Sequence, residues 1–171
     1  MKQIPHNYQL SALRKEGTMK TIASFKVNHD TLEKGMYISR TDGDIVTYDI
    51  RMKKPNGGDY LKNAAMHTFE HLFATYARNT EFAKNIIYIG PMGCRTGFYF
   101  LVRDEISHAE SLKIIRECFE FIKNFEGNIP GAKKEECGNY LEHDLNGAKE
   151  IALDMIEVLK DWNTEKMIYA E

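Results

Sequence analysis

The chain has 171 residues, of which 43% are hydrophobic and 28% charged, and its net charge at pH 7 is −2. This length favours one domain with a single core, and the composition is ordinary for a globular protein. Lys and Arg form no run of five or more, so the charge pattern gives no reason to expect nucleic-acid binding. No apolar stretch approaches the roughly 20 residues that span a bilayer, so we expect no membrane insertion.

The N-terminal segment and the cysteines bear on the domain boundary and on the cellular compartment. Residues 1–18 are polar and without clear periodicity, so we predict a poorly ordered N-terminal extension followed by one domain over residues 19–171. The first residues lack the apolar core of a secretory signal. The three cysteines are widely spaced and odd in number, which is a poor disulfide framework and fits the reducing cytoplasm. We therefore predict a cytoplasmic protein.

Two extended segments open the predicted domain. Residues 36–41 and 44–52 flank an Asp-Gly pair, which predicts a β-hairpin. In the second segment alternate residues are apolar, and these share one face of the strand: Val46, Tyr48, Ile50 and Met52. The opposite face carries polar residues: Thr47, Asp49 and Arg51.

The next segments alternate between helix and strand. Apolar and small residues recur at helical spacing over residues 60–79, namely Leu61, Ala64, Ala65, Thr68, Leu72, Thr75 and Tyr76. Residues 85–89 and 97–102 are predicted strands, with a turn at residues 90–93 between them. Residues 107–125 form a predicted helix that starts with a capping box, and residues 147–162 form the last helix. This order of elements predicts an α+β fold.

The most informative motif is His67-Thr68-Phe69-Glu70-His71, within the first predicted helix. On a helix, His67, Glu70 and His71 lie within an arc of roughly 100°. Two imidazoles and a carboxylate in one small volume suit a divalent metal with a neighbouring acid/base, in the inverted order of the zincin motif. A charged cluster on an otherwise apolar helix is costly unless it is paired or metal-bound. The motif therefore predicts a metal site.

A catalytic metal site usually has three protein ligands and one open position, so a third ligand must come from elsewhere. The candidates are His29, His108, His143, Cys94, Cys118, Cys137 and the carboxylates. Cys118 lies beside the apolar stripe of its helix and is expected to be a core residue. His108 is expected to be exposed, and His143 to be a solvated or capping residue. Cys137, beside Gly138 in a break between helices, is well placed, but spacing alone leaves the choice open.

A second candidate group surrounds Cys94. This thiol lies in a glycine-rich turn between two predicted strands, next to Arg95. A nearby cation and free backbone N–H groups stabilise a thiolate, so the turn suits a reactive cysteine. An inert thiol in a turn is the alternative. Arg51 projects with Asp49 from the polar face of the hairpin, where a solvated surface arginine is the more common case.

Five segments, taken together and in this order, resemble the S-ribosylhomocysteine lyase (LuxS) family, which makes the precursor of autoinducer-2. The segments are Ser24-Phe25 with His29, Asp49-Ile50-Arg51, His67-Thr68-Phe69-Glu70-His71-Leu72, Pro91 to Tyr99, and Cys137-Gly138 followed by His143-Asp144-Leu145. The resemblance covers roughly residues 20–165. It implies an antiparallel sheet with helices packed on one face.

The resemblance also implies specific roles. His67, His71 and Cys137 would hold one metal ion per subunit, natively Fe²⁺ and replaceable by Zn²⁺ or Co²⁺, while Cys94 and Glu70 would be the acid/base pair. Three residues would bind the substrate, namely Ser24, His29 and Arg51. The reaction implied is cleavage of S-ribosylhomocysteine to homocysteine and 4,5-dihydroxy-2,3-pentanedione. The family is homodimeric, with active sites at the subunit interface.

The chain departs from the family pattern at two positions, and two other functions compete with this interpretation. Many family members have an acidic residue where this chain has Tyr88, and serine where it has Gly90. The motif alone also fits an inverted-motif metallopeptidase, although such chains are longer and give Cys94 no role. A structural metal module is the non-enzymatic alternative, and it would need a fourth ligand, either Cys94 or a carboxylate.

Overall fold

The computed structural model describes residues 21–22 and 25–170. The proposed extension over residues 1–18 lies outside this range, so the division of the chain at residue 18 stays a prediction. The described residues form four strands and three α-helices in the order β1, β2, α1, β3, β4, α2, α3. The α+β class predicted from the sequence is confirmed.

One antiparallel sheet contains all four strands, in the order β1-β2-β4-β3. Its strands are β1 (Gly35–Asp42), β2 (Ile45–Arg51), β3 (Ile86–Pro91) and β4 (Gly97–Arg103). The predicted hairpin joins β1 to β2, and Gly43 in its turn has a φ of +62°, a conformation that favours glycine. The predicted turn at residues 90–93 begins too early, because Gly90 and Pro91 still pair with β4.

Three helices pack on one face of this sheet: α1 (Asn63–Ala77), α2 (His108–Asn124) and α3 (Leu145–Leu159). Ser107 and Glu110 form the predicted capping box at the start of α2. Asp144 caps α3 by accepting a hydrogen bond from the Gly147 backbone N–H. None of the described helices is both long and apolar enough to cross a membrane.

The main core lies between the sheet and the helices. Directly paired residues on neighbouring strands share a face, and Tyr48 and Phe100 are such a pair on the face towards the helices. Both are fully buried, and they meet Phe69 and Phe73 of α1 in one cluster. The predicted α1 stripe missed these two phenylalanines and included Thr75 and Tyr76, which are only half-buried. Helix α1 buries a wider face than predicted because it contacts α2 and α3 as well as the sheet.

Candidate functional site

Helix α1 presents two histidine rings to the segment that connects α2 to α3. His67 and His71 are one turn apart, and their rings are nearly perpendicular, with centroids 4.7 Å apart. Their neighbours Phe69 and Leu72 are fully buried, which fixes the rotation of the helix about its axis. Glu70, on the same helix, is half-buried. The core packing of α1 therefore determines where the two imidazoles lie.

Backbone carbonyls set the orientation of both rings. The Nδ1 atom of His67 lies 2.9 Å from the carbonyl oxygen of Glu142. The Nδ1 atom of His71 lies 2.8 Å from the carbonyl oxygen of Pro130. A carbonyl oxygen only accepts hydrogen bonds, so each Nδ1 carries the proton and each Nε2 carries the lone pair. This is the usual arrangement around a metal-binding histidine, in which a hydrogen-bond acceptor at the other ring nitrogen fixes the tautomer.

The structure brings Cys137 to these two nitrogens. Its sulfur lies 3.4 Å from Nε2 of His67 and 3.9 Å from Nε2 of His71. The side chain is half-buried, and the backbone N–H of Asn139 points to the sulfur at 3.4 Å. Ligands at about 2.0–2.3 Å from one tetrahedral ion lie roughly 3.3–3.8 Å from one another. The three side chains therefore match a metal-binding set without large movement.

His143, one of the candidate ligands named from the sequence, joins the cluster. The candidate ligand atoms of His67, His71, Cys137 and His143 all lie within 4.8 Å of one another. The His143 ring was expected to be solvated or to cap a helix, but it stacks on His67 with centroids 4.2 Å apart. The triplet His143-Asp144-Leu145 at the start of α3 was the only signal in the sequence that could have indicated it.

The hydroxyl of Thr68 determines the tautomer of His143. It donates to the Ala64 carbonyl at 3.0 Å and accepts from the Asp144 backbone N–H at 2.8 Å. Its remaining lone pair meets Nδ1 of His143 at 3.1 Å, so Nδ1 carries the proton. The Nε2 atom of His143 is buried and has no hydrogen-bond partner among the described residues. Burial lowers the pKa of His143, and the neighbouring His67 and His71 lower it further, so the ring is neutral and Nε2 is an acceptor.

The orientation of its ring indicates that His143 is not a fourth ligand of the same ion. The planes of His67 and His143 are only 21° apart. A metal ion binds in the plane of an imidazole at about 2 Å from the nitrogen, and two stacked, nearly parallel planes share no such point. His67, His71 and Cys137 are therefore the set that fits one ion, while the free Nε2 of His143 lies beside it. Two nitrogens and a thiolate suit a borderline-soft divalent ion such as Zn²⁺ or Fe²⁺.

A separate cavity of about 440 Å³ contains Cys94. Its lining includes His29, Arg51, Thr96 and Tyr99 together with the thiol. The predicted substrate-binding residues His29 and Arg51 are thus found with Cys94, whereas Ser24 lies outside the described residues. A volume of this size is typical of a small-molecule site.

The turn between β3 and β4 holds Cys94 at the cavity wall. Cys94 is exposed, and the next residue, Arg95, has a φ of +59°, which is uncommon for a residue other than glycine. Beyond the turn, a Cβ atom at Gly97 would lie 2.1 Å from the Ile50 carbonyl oxygen. Only glycine allows β4 to approach β2 so closely there, and this approach brings the thiol turn next to Arg51.

The sequence suggested that Arg51 is a solvated surface residue. The structure contradicts this, because Arg51 is only 3% exposed. Its Nη2 atom donates to Asp49 Oδ2 at 2.5 Å, and its Nη1 atom donates to Thr96 Oγ1 at 2.5 Å. The Thr96 hydroxyl in turn lies 3.0 Å from the Cys94 sulfur. Burial lowers the pKa of Arg51, but Asp49 outweighs this and the net pKa is raised. A permanent cation is therefore hydrogen-bonded, through one hydroxyl, to the thiol.

The cavity and the metal cluster are separate within one chain. None of the four cluster residues lines the Cys94 cavity, and neither does Glu70. The predicted acid/base pair of Cys94 and Glu70 is therefore not brought together in this cavity. A larger cavity of about 550 Å³ lies beside the first turns of α1 and α3, but its charged residues include two surface ion pairs, Lys34–Asp154 and Lys53–Asp59, and no thiol or histidine lines it.

The third cysteine has a different environment from the other two. Cys118 lies on α2 and is fully buried in the main core. Burial raises its pKa well above the usual value, so it stays an unreactive thiol. The prediction that it is a small core residue is confirmed.

The family model and the similar proteins of known name all indicate the same family. The family model described as S-ribosylhomocysteinase (LuxS) matches residues 22–166. A protein of Phocaeicola vulgatus named S-ribosylhomocysteine lyase is 45% identical over 157 residues, which cover 88% of this chain and 98% of that protein. Proteins with the same name are 42% identical in Clostridium acetobutylicum, over 90% of this chain and all of theirs, and 44% identical in Porphyromonas gingivalis, over 86% and 96%.

Proposed function

This chain belongs to the S-ribosylhomocysteinase (LuxS) family, and we propose that it cleaves S-ribosylhomocysteine to homocysteine and 4,5-dihydroxy-2,3-pentanedione. The observation that carries the proposal is that this chain has both a metal-binding set of two nitrogens and one sulfur and a cavity with an exposed thiol. A peptidase that activates water needs the metal and a carboxylate but gives no role to the thiol cavity. A closed structural site needs four converging ligands, which the stacked rings of His67 and His143 do not supply.

The metal-binding residues in this proposal are His67, His71 and Cys137, with Fe²⁺ as the native ion. When bound, the ion supplies a Lewis acid that acidifies the carbon next to the substrate carbonyl. Hydrogen bonds from Nδ1 to the Glu142 and Pro130 carbonyls hold the two imidazoles in the ligating tautomer. The free Nε2 of His143 would accept a hydrogen bond from a substrate hydroxyl, which would give this buried nitrogen the partner it lacks among the described residues.

Cys94 and Glu70 are the proton-transfer groups in this proposal. The carbonyl of the opened sugar must move from C1 to C2 and then to C3, and each move takes a proton from one carbon or oxygen and returns it to another. A thiolate and a carboxylate can each accept and return such a proton. Once the carbonyl is at C3, a proton is removed from the adjacent carbon and homocysteine leaves as a thiolate. The substrate is held by Arg51 and His29 in the cavity and by Ser24.

A homodimer brings the two halves of the proposed site together. The cavity that contains Cys94 lacks Glu70 and all three metal-binding residues of its own chain, so we propose that a second copy provides them. The assembly is a symmetric pair with two equivalent sites, each using the thiol cavity of one chain and the metal cluster of the other. The small molecule is the only other partner that we propose, in the cytoplasm, where the free thiols of Cys94 and Cys137 stay reduced.

Release of homocysteine from S-ribosylhomocysteine tests the reaction directly. Anaerobically purified, metal-loaded protein is expected to release one thiol per substrate, and the release is expected to stop in Cys94→Ala and in Glu70→Gln. Cys118→Ala, which changes a buried core thiol, serves as the matched cysteine control and is expected to keep kcat. If the loaded wild-type protein releases no homocysteine, the proposed reaction is wrong.

Complementation tests the shared site. Co-expressed Cys94→Ala and His67→Ala chains form mixed dimers in which one site has both the intact thiol and the intact metal cluster. Random pairing of the two chains then restores roughly a quarter of wild-type sites if the site is shared. Sites made within one chain would restore none, and that result would contradict the dimer proposal while leaving the reaction untouched.

A further inference from the structure

A tyrosine near the end of the described chain covers the outer face of the sheet, the face away from the helices. The Tyr169 ring stacks on Tyr37 of β1, with centroids 5.0 Å apart and planes 17° apart. Its hydroxyl donates to Asp49 Oδ2 at 2.9 Å. The contact joins residues 120 positions apart in the chain, and Tyr169 lies beyond residue 166, where the family match ends.

The same carboxylate oxygen also accepts from Arg51, so Tyr169 connects to the thiol cavity. Asp49 Oδ2 receives one hydrogen bond from Tyr169 and one from Arg51. Arg51 then donates to the Thr96 hydroxyl, which contacts the Cys94 sulfur. A continuous line of four hydrogen bonds therefore runs from the C-terminal segment to the exposed thiol.

We propose that Tyr169 is a positioning residue for Cys94, which acts by holding Asp49, and through it Arg51 and Thr96, in one arrangement. The inference rests on the proposed function, since it gives the Cys94 cavity a catalytic role. Tyr169 does not touch the cavity itself, because it is absent from the residues that line it.

Burial and bonding show why the Asp49–Arg51 pair needs this support. Asp49 and Arg51 are each 3% exposed, so both charges have lost most of their water. Asp49 Oδ1 and Arg51 Nε nevertheless have no hydrogen-bond partner among the described residues. Oδ2 alone anchors the carboxylate, and without the tyrosine hydroxyl the carboxylate can turn so that either oxygen faces Arg51. A buried polar network is rigid when it is fully satisfied, and this pair is not, so each of its remaining hydrogen bonds matters for holding one arrangement.

The tyrosine hydroxyl is suited to this role because it stays protonated. Burial raises the pKa of Tyr169 well above its usual value, and the Asp49 carboxylate raises it further. The hydroxyl therefore remains a donor wherever the carboxylate is ionised. Stacking on Tyr37 keeps the ring in place independently of the hydrogen bond.

Tyr169→Phe tests the proposal, because it removes the hydroxyl and keeps the stacked ring. In metal-loaded, full-length protein, kcat is expected to fall about tenfold if most of the free energy of one hydrogen bond to a charged group is lost from the positioning of the thiol. KM is expected to change by a smaller factor than kcat, because the thiol acts in the transition state, whereas Arg51 also holds the substrate. The rate of Cys94 alkylation by iodoacetamide, followed by peptide mass spectrometry, is expected to fall several-fold in the same variant.

Tyr76→Phe is the matched control. Its hydroxyl also donates to a carboxylate, that of Glu117 at 3.3 Å, but on the helical side of the molecule. This control is expected to leave kcat and the alkylation rate unchanged. Because alkylation needs no substrate, it tests the line of hydrogen bonds even if the protein proves not to cleave S-ribosylhomocysteine.

The outcomes separate positioning from plain stability. If Tyr169→Phe lowers the unfolding midpoint but leaves both kcat and Cys94 alkylation at the level of Tyr76→Phe, the proposal is overturned. It is equally overturned if the loss appears entirely in KM. A chain that ends at Met167 removes the ring as well as the hydroxyl, and it is expected to lose at least as much kcat and alkylation rate as Tyr169→Phe.

Discussion

On strand β2 the two faces of the sheet are buried to similar degrees but in different ways. On β2, Tyr48 and Ile50 point to the helices and are fully buried among apolar side chains. Asp49 and Arg51 point the other way and are also almost fully buried, among tyrosines and each other. Burial of apolar area is the main source of folding free energy, whereas a buried ion pair contributes little net stability.

Unpartnered polar atoms mark the difference most clearly. Of the five buried side-chain nitrogen and oxygen atoms that lack a hydrogen-bond partner among the described residues, three belong to the outer face of β2: Thr47 Oγ1, Asp49 Oδ1 and Arg51 Nε. Such atoms cost free energy unless something satisfies them. The inner face thus stabilises the fold. The outer face carries a cost in folding free energy, and this face borders the Cys94 cavity, where a bound molecule can make use of polar groups.

Phe100→Ala is expected to give the largest loss of stability. Phe100 is fully buried on the inner face and contacts Phe73 and Tyr48. Its truncation leaves a cavity and is expected to lower the free energy of unfolding by about 3–5 kcal/mol, measured by urea denaturation. Phe100→Leu is the milder control, expected to cost roughly 1–2 kcal/mol. A cost below about 1 kcal/mol for the alanine variant would contradict the role of the inner face as the main core.

The Asp49–Arg51 pair allows a more direct test of the comparison. Asp49→Ala alone leaves a buried guanidinium without its carboxylate and is expected to cost about 3–5 kcal/mol in unfolding free energy. The double variant Asp49→Leu with Arg51→Met replaces both charges by apolar groups and is expected to lie within about 1 kcal/mol of wild type. Thiol release is expected to be lost in both. If the double variant is as unstable as the single one, the outer face stabilises the fold as the inner face does.

The apolar face could be predicted from local sequence, and the burial of the polar face could not. The alternation Val46, Tyr48, Ile50 correctly predicted one buried face of β2, and Ser107 with Glu110 correctly predicted the start of α2. The burial of Arg51 depends on Asp49 beside it and on Tyr169, which lies more than 100 residues away in the chain. No local pattern contains such a contact.

Part of the candidate site could likewise be predicted from local sequence, and part of it could not. The spacing of His67 and His71 gave two members of the cluster, because a helix places residues four apart on one face. Cys137 remained one of several candidates, since the path of the loop after α2 determines its position. His143 was named as a candidate but expected to be solvated or capping, because its place depends on a tertiary contact, the hydroxyl of Thr68 that holds its Nδ1 atom.

His143→Ala sharpens the comparison, since its unpartnered nitrogen lies away from the outer face of the sheet. The ring stacks on His67 and helps to hold it in place, so its loss is expected to weaken metal affinity about tenfold, the lower end of the effect of losing a group that orients a ligand. Chelator competition measures this, and the variant is expected still to bind one ion per chain at saturation. His108→Ala, which removes a ring bonded to Tyr48 at 2.6 Å, is the control. Unchanged affinity in His143→Ala would show that the stacked ring does not hold His67 in its ligating orientation.

Gly90 and Tyr88, on the outer face of the edge strand β3, give the smallest expected effect. A Cβ atom at Gly90 would lie 2.1 Å from the Tyr88 hydroxyl, so the tyrosine ring occupies the space that a larger residue 90 would fill. Tyr88 is 51% exposed, and its ring can turn away into solvent. The tyrosine and the glycine are therefore sterically coupled.

A double-mutant cycle measures this coupling in unfolding free energy. Gly90→Ala gains about 0.5–1 kcal/mol from the lower backbone entropy of the unfolded strand residue, but it loses part of that gain by displacing the ring. The same change in a Tyr88→Ala background has no ring to displace and is expected to show the full gain. A coupling of about 0.5 kcal/mol is the expected result. If the two changes are strictly additive, the ring does not rest on Gly90 in solution, and the outer face is then open at this edge.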